Sequence, residues 1–118
     1  MTGLRFENRT AIITGGARGI GLAIAQRLEL EGARVSLWEI DPAAVEEARP
    51  TFLNPVKVHS CTVNVGNPNS VAAAGKKTIK DLSNVDIMVN SAGVAGKNAL
   101  VKDYDVEERK KVIDINLN

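Results

Sequence analysis

Four short apolar runs recur along the chain, separated by longer stretches with helical spacing. They span residues 9–14, 34–39, 56–63 and 86–90. Runs of this length that are rich in β-branched and aliphatic residues are typical of strands. The last run is apolar at successive positions, which indicates a strand buried on both faces of a parallel sheet.

The stretch after the first strand predicts an amphipathic helix over residues 19–31. Ile20, Ile24 and Leu28 recur four positions apart there, so they lie on one face of a helix. We expect this apolar stripe to face the sheet. Gly32 follows directly and is typical of the left-handed residue that ends a helix.

Later helices are predicted by capping residues and spacing. Residues 41–49 begin with Asp-Pro and residues 67–82 with Asn-Pro, and both pairs are typical helix starts, because Asp or Asn caps the first turn and Pro fits its first position. Residues 98–102 are compatible with a further short helix. Residues 105–118 predict a last helix from the spacing of their apolar side chains, which are Val106, Val112, Ile113 and Leu117.

Strands and helices thus alternate along the chain, which predicts an α/β fold with helices on both faces of a parallel sheet. Right-handed crossovers give a Rossmann-like, doubly wound sheet that binds its ligand at the carboxyl ends of the strands. We interpret residues 1–118 as one partial domain, truncated after about four strands. The fourth strand would then be an open edge, so we expect the chain to self-associate there.

Composition narrows the classes of partner and site. The chain has 118 residues, 25% of them charged, and a net charge of +1, which argues against nucleic acid or a membrane surface as a partner. The single cysteine, Cys61, and the single histidine, His59, are interpreted as packing residues of the third strand, so no metal site is predicted. Without a signal-like or membrane-spanning apolar run, we expect a cytoplasmic protein.

A glycine-rich turn joins the first strand to the first helix. Helix geometry leaves the N–H groups of a first turn without partners, and the helix dipole favours negative charge there. Glycine lets the backbone approach an anion closely. The turn therefore predicts a site for the pyrophosphate of a dinucleotide. Its proposed residues are Thr14, Gly15, Arg18, Gly19, Ile20 and Gly21.

Together with two later motifs, this turn resembles the short-chain dehydrogenase/reductase family. The family pattern T-G-x-x-x-G-x-G begins here at Thr14 and ends at Gly21. The family's N-N-A-G after the fourth strand is similar to residues 90–93, Asn-Ser-Ala-Gly, in which Ser91 replaces the second Asn. Asn116 resembles the active-site Asn that the family carries on a helix.

The resemblance implies an NAD(P) cofactor, and two residues bear on which form is bound. Glu39 ends the second strand, where a carboxylate suits free ribose hydroxyls and repels a 2′-phosphate. Arg18 argues for the opposite preference, because a basic residue in this loop often accompanies NADP in similar proteins. We expect NAD, with NADP less favoured, since Glu39 would have to move or be neutralised to admit a phosphate.

The resemblance also implies cofactor contacts after the third and fourth strands. Asn64-Val65 stands where the family usually has Asp-Val, with the first side chain near the adenine amino group. Asn90, Ala92 and Gly93 would line the adenosine ribose and the path to the nicotinamide. Ser91, in place of Asn, is expected to cost one hydrogen bond in this network.

Of the family's catalytic groups, only the Asn has a counterpart, Asn116. The one tyrosine, Tyr104, precedes it and is followed four places later by Glu108 instead of the family's Lys. The resemblance thus implies the cofactor-binding half of an oxidoreductase that acts on a small alcohol or ketone and forms homo-oligomers. The alternative is a truncated nucleotide-binding module without catalytic activity.

Overall fold

The computed structural model of the protein describes residues 5–91 and 113–116. Strands and helices alternate there, with two single 3₁₀ turns, Arg49–Thr51 and Pro55–Lys57, before the third strand. The strands are β1 (Thr10–Thr14), β2 (Arg34–Glu39), β3 (His59–Thr62), β4 (Ile87–Asn90) and β5 (Ile113–Asn116). The helices are α1 (Gly19–Leu30), α2 (Pro42–Ala48) and α3 (Pro68–Leu82).

All strand pairs in the sheet are parallel, and the strand order is β3-β2-β1-β4-β5. The chain builds outward from β1 to β3 and then crosses back to place β4 on the other side of β1. The direction of winding therefore reverses between β1 and β4. Doubly wound sheets bind ligands at such a point, outside the carboxyl ends of the strands. The predicted α/β doubly wound fold is confirmed.

The helix starts predicted from capping residues are also confirmed. Asp41 accepts a hydrogen bond from the Ala43 N–H at 3.0 Å and begins α2. Asn67 accepts two N–H groups of the first turn of α3. Gly32 follows the end of α1 with a φ of 102°, a left-handed conformation that favours glycine.

Two apolar clusters cover the two faces of the sheet. Ile13 of β1 is buried on one face with Ala25 of α1 and Val45 of α2. Its neighbour Ile12 is buried on the opposite face with Val71 of α3. Because successive side chains of a strand point to opposite faces, β1 contributes to both clusters and is covered by helices on both sides.

The apolar stripe predicted for α1 is wrong at its first position. Ile20 is 69% exposed, whereas Gly21 and Ala25 are buried and Ile24 and Leu28 pack partly buried against the core. The helix therefore presents its small residues to the sheet near its start. Small residues let the helix backbone lie closer to the strands than an isoleucine side chain would allow.

The end of the chain forms a strand where a helix was predicted. Ile113–Asn116 pairs in parallel with β4, with Ile87 opposite Ile113 and Asn90 opposite Asn116. The sequence Ile-Asp-Ile-Asn alternates apolar and polar residues, and the pairing gives the backbone groups of β4 partners on this side. The sheet has five strands instead of about four, and the prediction that β4 is an open edge is wrong.

Some predicted features fall on residues that the structure does not describe. They are the short helix over 98–102, residues 105–112 and 117–118 of the last helix, and Ala92, Gly93 and Tyr104. Within the described ranges, no helix is long and apolar enough to cross a membrane. In the same ranges, no group of three His, Cys, Asp or Glu side chains is placed to hold a metal ion.

A row of polar side chains connects β2, β3 and α3. Ser36 Oγ lies 2.7 Å from His59 Nδ1, and His59 Nε2 lies 2.8 Å from Asp81 Oδ2. Lys77 donates a hydrogen bond to the same Asp81 oxygen at 3.0 Å. Because Ser36 is fully buried, we interpret the row as a structural connection and not as a nucleophilic site.

This row predicts a loss of stability in acid. The hydrogen bond with His59, followed by that from Lys77, lowers the pKa of Asp81 below its ordinary value of 3.8. A depressed carboxyl pKa contributes stability above the unfolded-state pKa, and this contribution is lost as the pH falls through the folded-state pKa. We expect Asp81→Asn to destabilise the protein near neutral pH, and we expect this difference in stability from wild type to shrink as the pH falls below about 4.

Urea unfolding of both proteins at several pH values measures this difference. Glu47→Gln, which removes an exposed carboxylate of α2, is the matched control and should change stability by a similar small amount throughout. A difference between wild type and Asp81→Asn that stays constant from about pH 6 to about pH 3 would contradict the assignment.

Candidate functional site

The candidate site lies at the carboxyl ends of β1 and β4, where the winding of the sheet reverses. In the strand register Thr14 stands opposite Asn90 on one side and opposite Trp38 on the other. Asn90 in turn stands opposite Asn116. Four neighbouring strands therefore end at one level, and the loops that follow β1 and β2 leave the sheet together there.

The glycine-rich turn after β1 depends on its glycines in two ways. Gly15 and Gly19 have φ angles of 64° and 54°, which residues with a Cβ rarely adopt. At Gly21 the constraint is space, because a Cβ there would overlap the Gly15 carbonyl oxygen and the Ser91 hydroxyl. The start of α1 thus packs directly against both the turn and the end of β4.

The first turn of α1 has the features that favour a bound anion. Its N-cap residue, Arg18, makes no side-chain capping hydrogen bond, and the turn contains no acidic residue. Helix geometry leaves the first N–H groups without intrahelical partners and gives this end a partial positive charge. Ile20 lies beside them with most of its side chain exposed, as a residue that contacts a ligand would.

Two hydrogen bonds hold the turn against β4. The Ser91 N–H donates to Thr14 Oγ1 at 3.1 Å, and the Ser91 hydroxyl donates to the Thr14 carbonyl oxygen. From the other neighbour, the Trp38 carbonyl accepts the Gly15 N–H at 2.8 Å. Ser91 was expected only to cost a hydrogen bond relative to Asn, whereas its side chain bonds the backbone of β1.

Arg18 and Glu39, whose charges were predicted to favour different cofactors, form an ion pair. Arg18 Nη2 lies 3.5 Å from Glu39 Oε2 and 3.2 Å from Asp41 Oδ2. The Glu39 side chain is only 7% exposed and also accepts the Asp41 N–H at 3.3 Å. A buried carboxylate needs such partners, because burial without them is costly.

Asn64 and Val65 follow β3 at the same end of the sheet. The Val63 N–H donates to the Glu39 carbonyl oxygen at 3.0 Å, which keeps this loop beside the end of β2. Asn64 Oδ1 accepts the Gly66 N–H at 2.9 Å, so this oxygen closes a local turn. Val65 is partly buried against the core.

Asn90 and Asn116 lie side by side at the ends of β4 and β5. Asn90 is buried, and its side-chain amide donates a hydrogen bond to Asp114 Oδ1 at 2.7 Å. Asn116 was predicted on a helix, and that placement is wrong, because residues 113–116 form a strand. The strand register nevertheless brings Asn116 to the same edge as Thr14 and Asn90.

Sequence reasoning missed several residues of this site. Asp41 was identified only as a helix cap, although its second oxygen binds Arg18. Asp114 binds Asn90, and the alternation of residues 113–116 was the signal for its strand. Ile40, directly after Glu39, is 60% exposed, and the signal available in the sequence was a large apolar residue placed directly after the strand-ending Glu39.

The residues present fit the pyrophosphate and adenosine parts of a dinucleotide. The turn offers backbone N–H groups at the start of α1, which suit a phosphate. The close packing of Gly21, where a Cβ would not fit, holds this helix start in place. Glu39 offers a carboxylate at the end of the next strand, which suits ribose hydroxyls. Exposed Ile40, next in the chain, adds an apolar surface of the kind that a base packs on.

Comparison with known proteins gives matches over nearly the whole chain. A family model described as short chain dehydrogenase matches residues 9–118. The 2-dehydro-3-deoxy-L-rhamnonate dehydrogenase (NAD(+)) of Sphingomonas sp. (strain SKA58) is 37% identical over 114 residues, which cover 97% of this chain and 45% of that protein. A 3-oxoacyl-(acyl-carrier-protein) reductase of Chlamydia trachomatis is 35% identical over 119 residues, covering 99% of this chain and 47% of that protein.

Solved structures agree with these matches. The glucose dehydrogenase of Caenorhabditis elegans in its apo form is 30% identical, with a TM-score of 0.70, over 86% of this chain and 43% of that one. An NAD+-bound xylitol dehydrogenase is 20% identical with a TM-score of 0.84, over 95% of this chain and 53% of that one, and shows the fold alone. The chain spans about half the length of the curated relatives it matches.

The packing at Gly21 predicts a strongly destabilising substitution. In Gly21→Ala the new methyl group would displace the Gly15 carbonyl or the Ser91 hydroxyl, and overpacking of this kind costs about 1–3 kcal/mol. In Gly19→Ala the new Cβ would lie in open space. Only the left-handed backbone conformation would then destabilise this variant, by about 1 kcal/mol. Urea unfolding compares the two variants, and equal losses would contradict the packing role of Gly21.

Proposed function

The chain belongs to the short-chain dehydrogenase family, and we propose that it is the cofactor-binding half of an oxidoreductase that transfers a hydride between NAD(P) and a hydroxyl or carbonyl group. The observation that carries this proposal is the glycine-rich turn at the reversal point of the sheet, where Gly21 leaves no room for a side chain. The substrate class that we propose is a small alcohol or ketone. About half the length of the related proteins lies outside the match, which supports the description of this chain as one half.

In the proposed complex, the turn binds the pyrophosphate. The backbone N–H groups of Gly19, Ile20 and Gly21 would donate to its oxygens, helped by the dipole of α1. Thr14 and Gly15 shape the turn through their bonds to Ser91 and Trp38. The left-handed glycines and the close packing thus fix the N–H donors in place before the ligand arrives, which lowers the entropy cost of binding.

The adenosine half would lie over the ends of β2, β3 and β4. Glu39 would accept hydrogen bonds from the ribose hydroxyls, and Asn64 and Val65 would lie beside the adenine. Because Asn64 Oδ1 already accepts the Gly66 N–H, we propose that its amide N–H₂ donates to a ring nitrogen of the base. Asn90, with Ala92 and Gly93 after it, would continue the site towards the nicotinamide.

We propose NAD as the preferred cofactor. The guanidinium of Arg18, the cation of the turn, lies within ion-pair distance of Glu39 and Asp41. A 2′-phosphate would have to displace these carboxylates or be repelled by them. One curated relative carries NAD(+) in its name, which supports the same choice for this chain.

The catalytic chemistry belongs to the cofactor, whose nicotinamide exchanges a hydride with the substrate. The part that we assign to this chain is placement, together with Asn116 at the edge of the sheet. A side-chain amide both donates and accepts hydrogen bonds, so Asn116 could hold a water in a proton relay. Reading the gene beyond codon 118 tests the enzyme assignment: a continuing frame that contains Tyr-x-x-x-Lys supports it, and a stop codon leaves only nucleotide binding.

Homo-oligomer formation and a cytoplasmic location are further parts of the proposal. Among the described residues, β5 ends the sheet and its Ile113 and Ile115 are 60% and 41% exposed. Exposed apolar side chains on a terminal strand favour association with a second copy. Light scattering after size-exclusion chromatography measures the oligomer, and imaging of a fluorescent fusion tests the location.

The protein should bind NADH, and its single tryptophan provides the measurement. Trp38 is buried at the end of β2, and its carbonyl binds the N–H of Gly15. We expect saturable energy transfer from Trp38 to bound NADH. Glu39→Gln should weaken NADH binding about tenfold, because it replaces hydrogen bonds to a charged acceptor by weaker neutral ones.

NADPH binding by Glu39→Gln should weaken less than NADH binding or improve. Glu47→Gln is the matched control, because it removes a carboxylate of α2 that is exposed. If wild type shows no energy transfer with either nucleotide, the proposed function is wrong. If Glu39→Gln changes both affinities equally, Glu39 does not choose between the cofactors.

A further inference from the structure

We propose that Asp41 is a specificity-determining residue that engages Arg18 in an ion pair, so that its guanidinium is not available to a ribose 2′-phosphate, and thereby disfavours NADP. The inference rests on the proposed binding of NAD at this site and extends it to a residue outside the glycine pattern. Its basis is the contact of one guanidinium nitrogen, Arg18 Nη2, with Asp41 at 3.2 Å and with Glu39 at 3.5 Å.

Asp41 makes the shorter of these two contacts. Its Oδ2 accepts a hydrogen bond from Arg18, whereas Glu39 lies at ion-pair distance only. Glu39 is needed for the ribose and is nearly buried, but the Asp41 side chain is 48% exposed. Arg18 is therefore held mainly by Asp41, which is not the carboxylate that we assign to the ribose.

The two carboxylates together decide what Arg18 can do. Arg18 is a cation in the pyrophosphate turn, and a guanidinium is well suited to a phosphate. To bind a 2′-phosphate it would have to exchange existing carboxylate partners for the new one. The same carboxylates would repel that phosphate, so Asp41 acts against NADP twice, through Arg18 and through its own charge.

The two oxygens of Asp41 have separate tasks, which makes a clean test possible. Oδ1 caps α2 by accepting the Ala43 N–H, and Oδ2 binds Arg18. The backbone N–H of Asp41 binds Glu39 and does not depend on the side chain. Asp41→Asn keeps the capping oxygen and the backbone contact, because Asn caps helices as well as Asp does. It replaces the oxygen that binds Arg18 by a neutral N–H₂ group, which cannot accept a hydrogen bond from the guanidinium.

The test compares two adenosine ligands that differ by the 2′-phosphate, namely 5′-AMP and adenosine 2′,5′-bisphosphate. Calorimetric titration of the purified protein gives the dissociation constant for each. We expect Asp41→Asn to strengthen bisphosphate binding relative to 5′-AMP about threefold to tenfold, since it releases an exposed ion pair and removes one repelling charge. Asp41→Ser, which also preserves a capping oxygen, should act in the same direction.

Two controls isolate the contact. Glu47→Gln removes a negative charge from the same helix at an exposed position and should change the ratio by less than about twofold. Arg18→Gln, added to Asp41→Asn, should remove the larger part of the gain, because the released guanidinium is its main cause, and leave only the part that comes from the lost charge of Asp41. Circular dichroism establishes that each variant is folded.

The outcomes are distinguishable. A ratio that does not change in either folded Asp41 variant, or a gain that is undiminished by the loss of Arg18, overturns the inference while NADH binding by wild type still supports the proposed function. Failure of wild type to bind NADH and both adenosine ligands overturns the two together. A gain that shrinks when Arg18 is lost supports the role of Asp41.

Discussion

The close contact between the first turn of α1 and the ends of β1 and β4 is the constraint on which the site depends. Gly21 lies against the Gly15 carbonyl and the Ser91 hydroxyl, with no space for a Cβ. This contact fixes where the helix starts, and the helix start fixes the direction of its free N–H groups. The left-handed conformations of Gly15 and Gly19 then follow, because the chain must turn sharply from strand into helix.

Much of the fold could be predicted because local chemistry and the parallel sheet agree with each other. Asp41 and Asn67 identify helix starts through oxygens that accept first-turn N–H groups, a signal that does not depend on distant contacts. The runs that became β1 and β4 are apolar because both faces of the sheet carry helices. The spacing of the glycines predicted the turn for a similar reason, because these positions need a left-handed backbone or have no space for a side chain.

The rest depended on contacts between distant residues. Ile20 fits a helical stripe by its spacing, but the packing at Gly21 turns that position outwards. The strand formed by residues 113–116 depends on its pairing with β4, which helical periodicity does not reveal. Asp41 was identified only as a helix cap, and its partner Arg18 lies 23 residues away in the chain. Ser91 was identified only as a departure from a family pattern, and its partner Thr14 lies 77 residues away.

That last separation has a consequence for how the protein is made. β1 and the glycine turn leave the ribosome early, but the partner that fastens them, Ser91, is synthesised 77 residues later. Contacts of such long sequence separation form late, because a large loop must close first. During synthesis β1 and β2 can pair first. The glycine turn lacks its hydrogen bonds to Ser91 until β4 has been made. A nascent chain should therefore bind nucleotide only after β4 has emerged. The onset of nucleotide binding would then report that the central strands of the sheet have assembled.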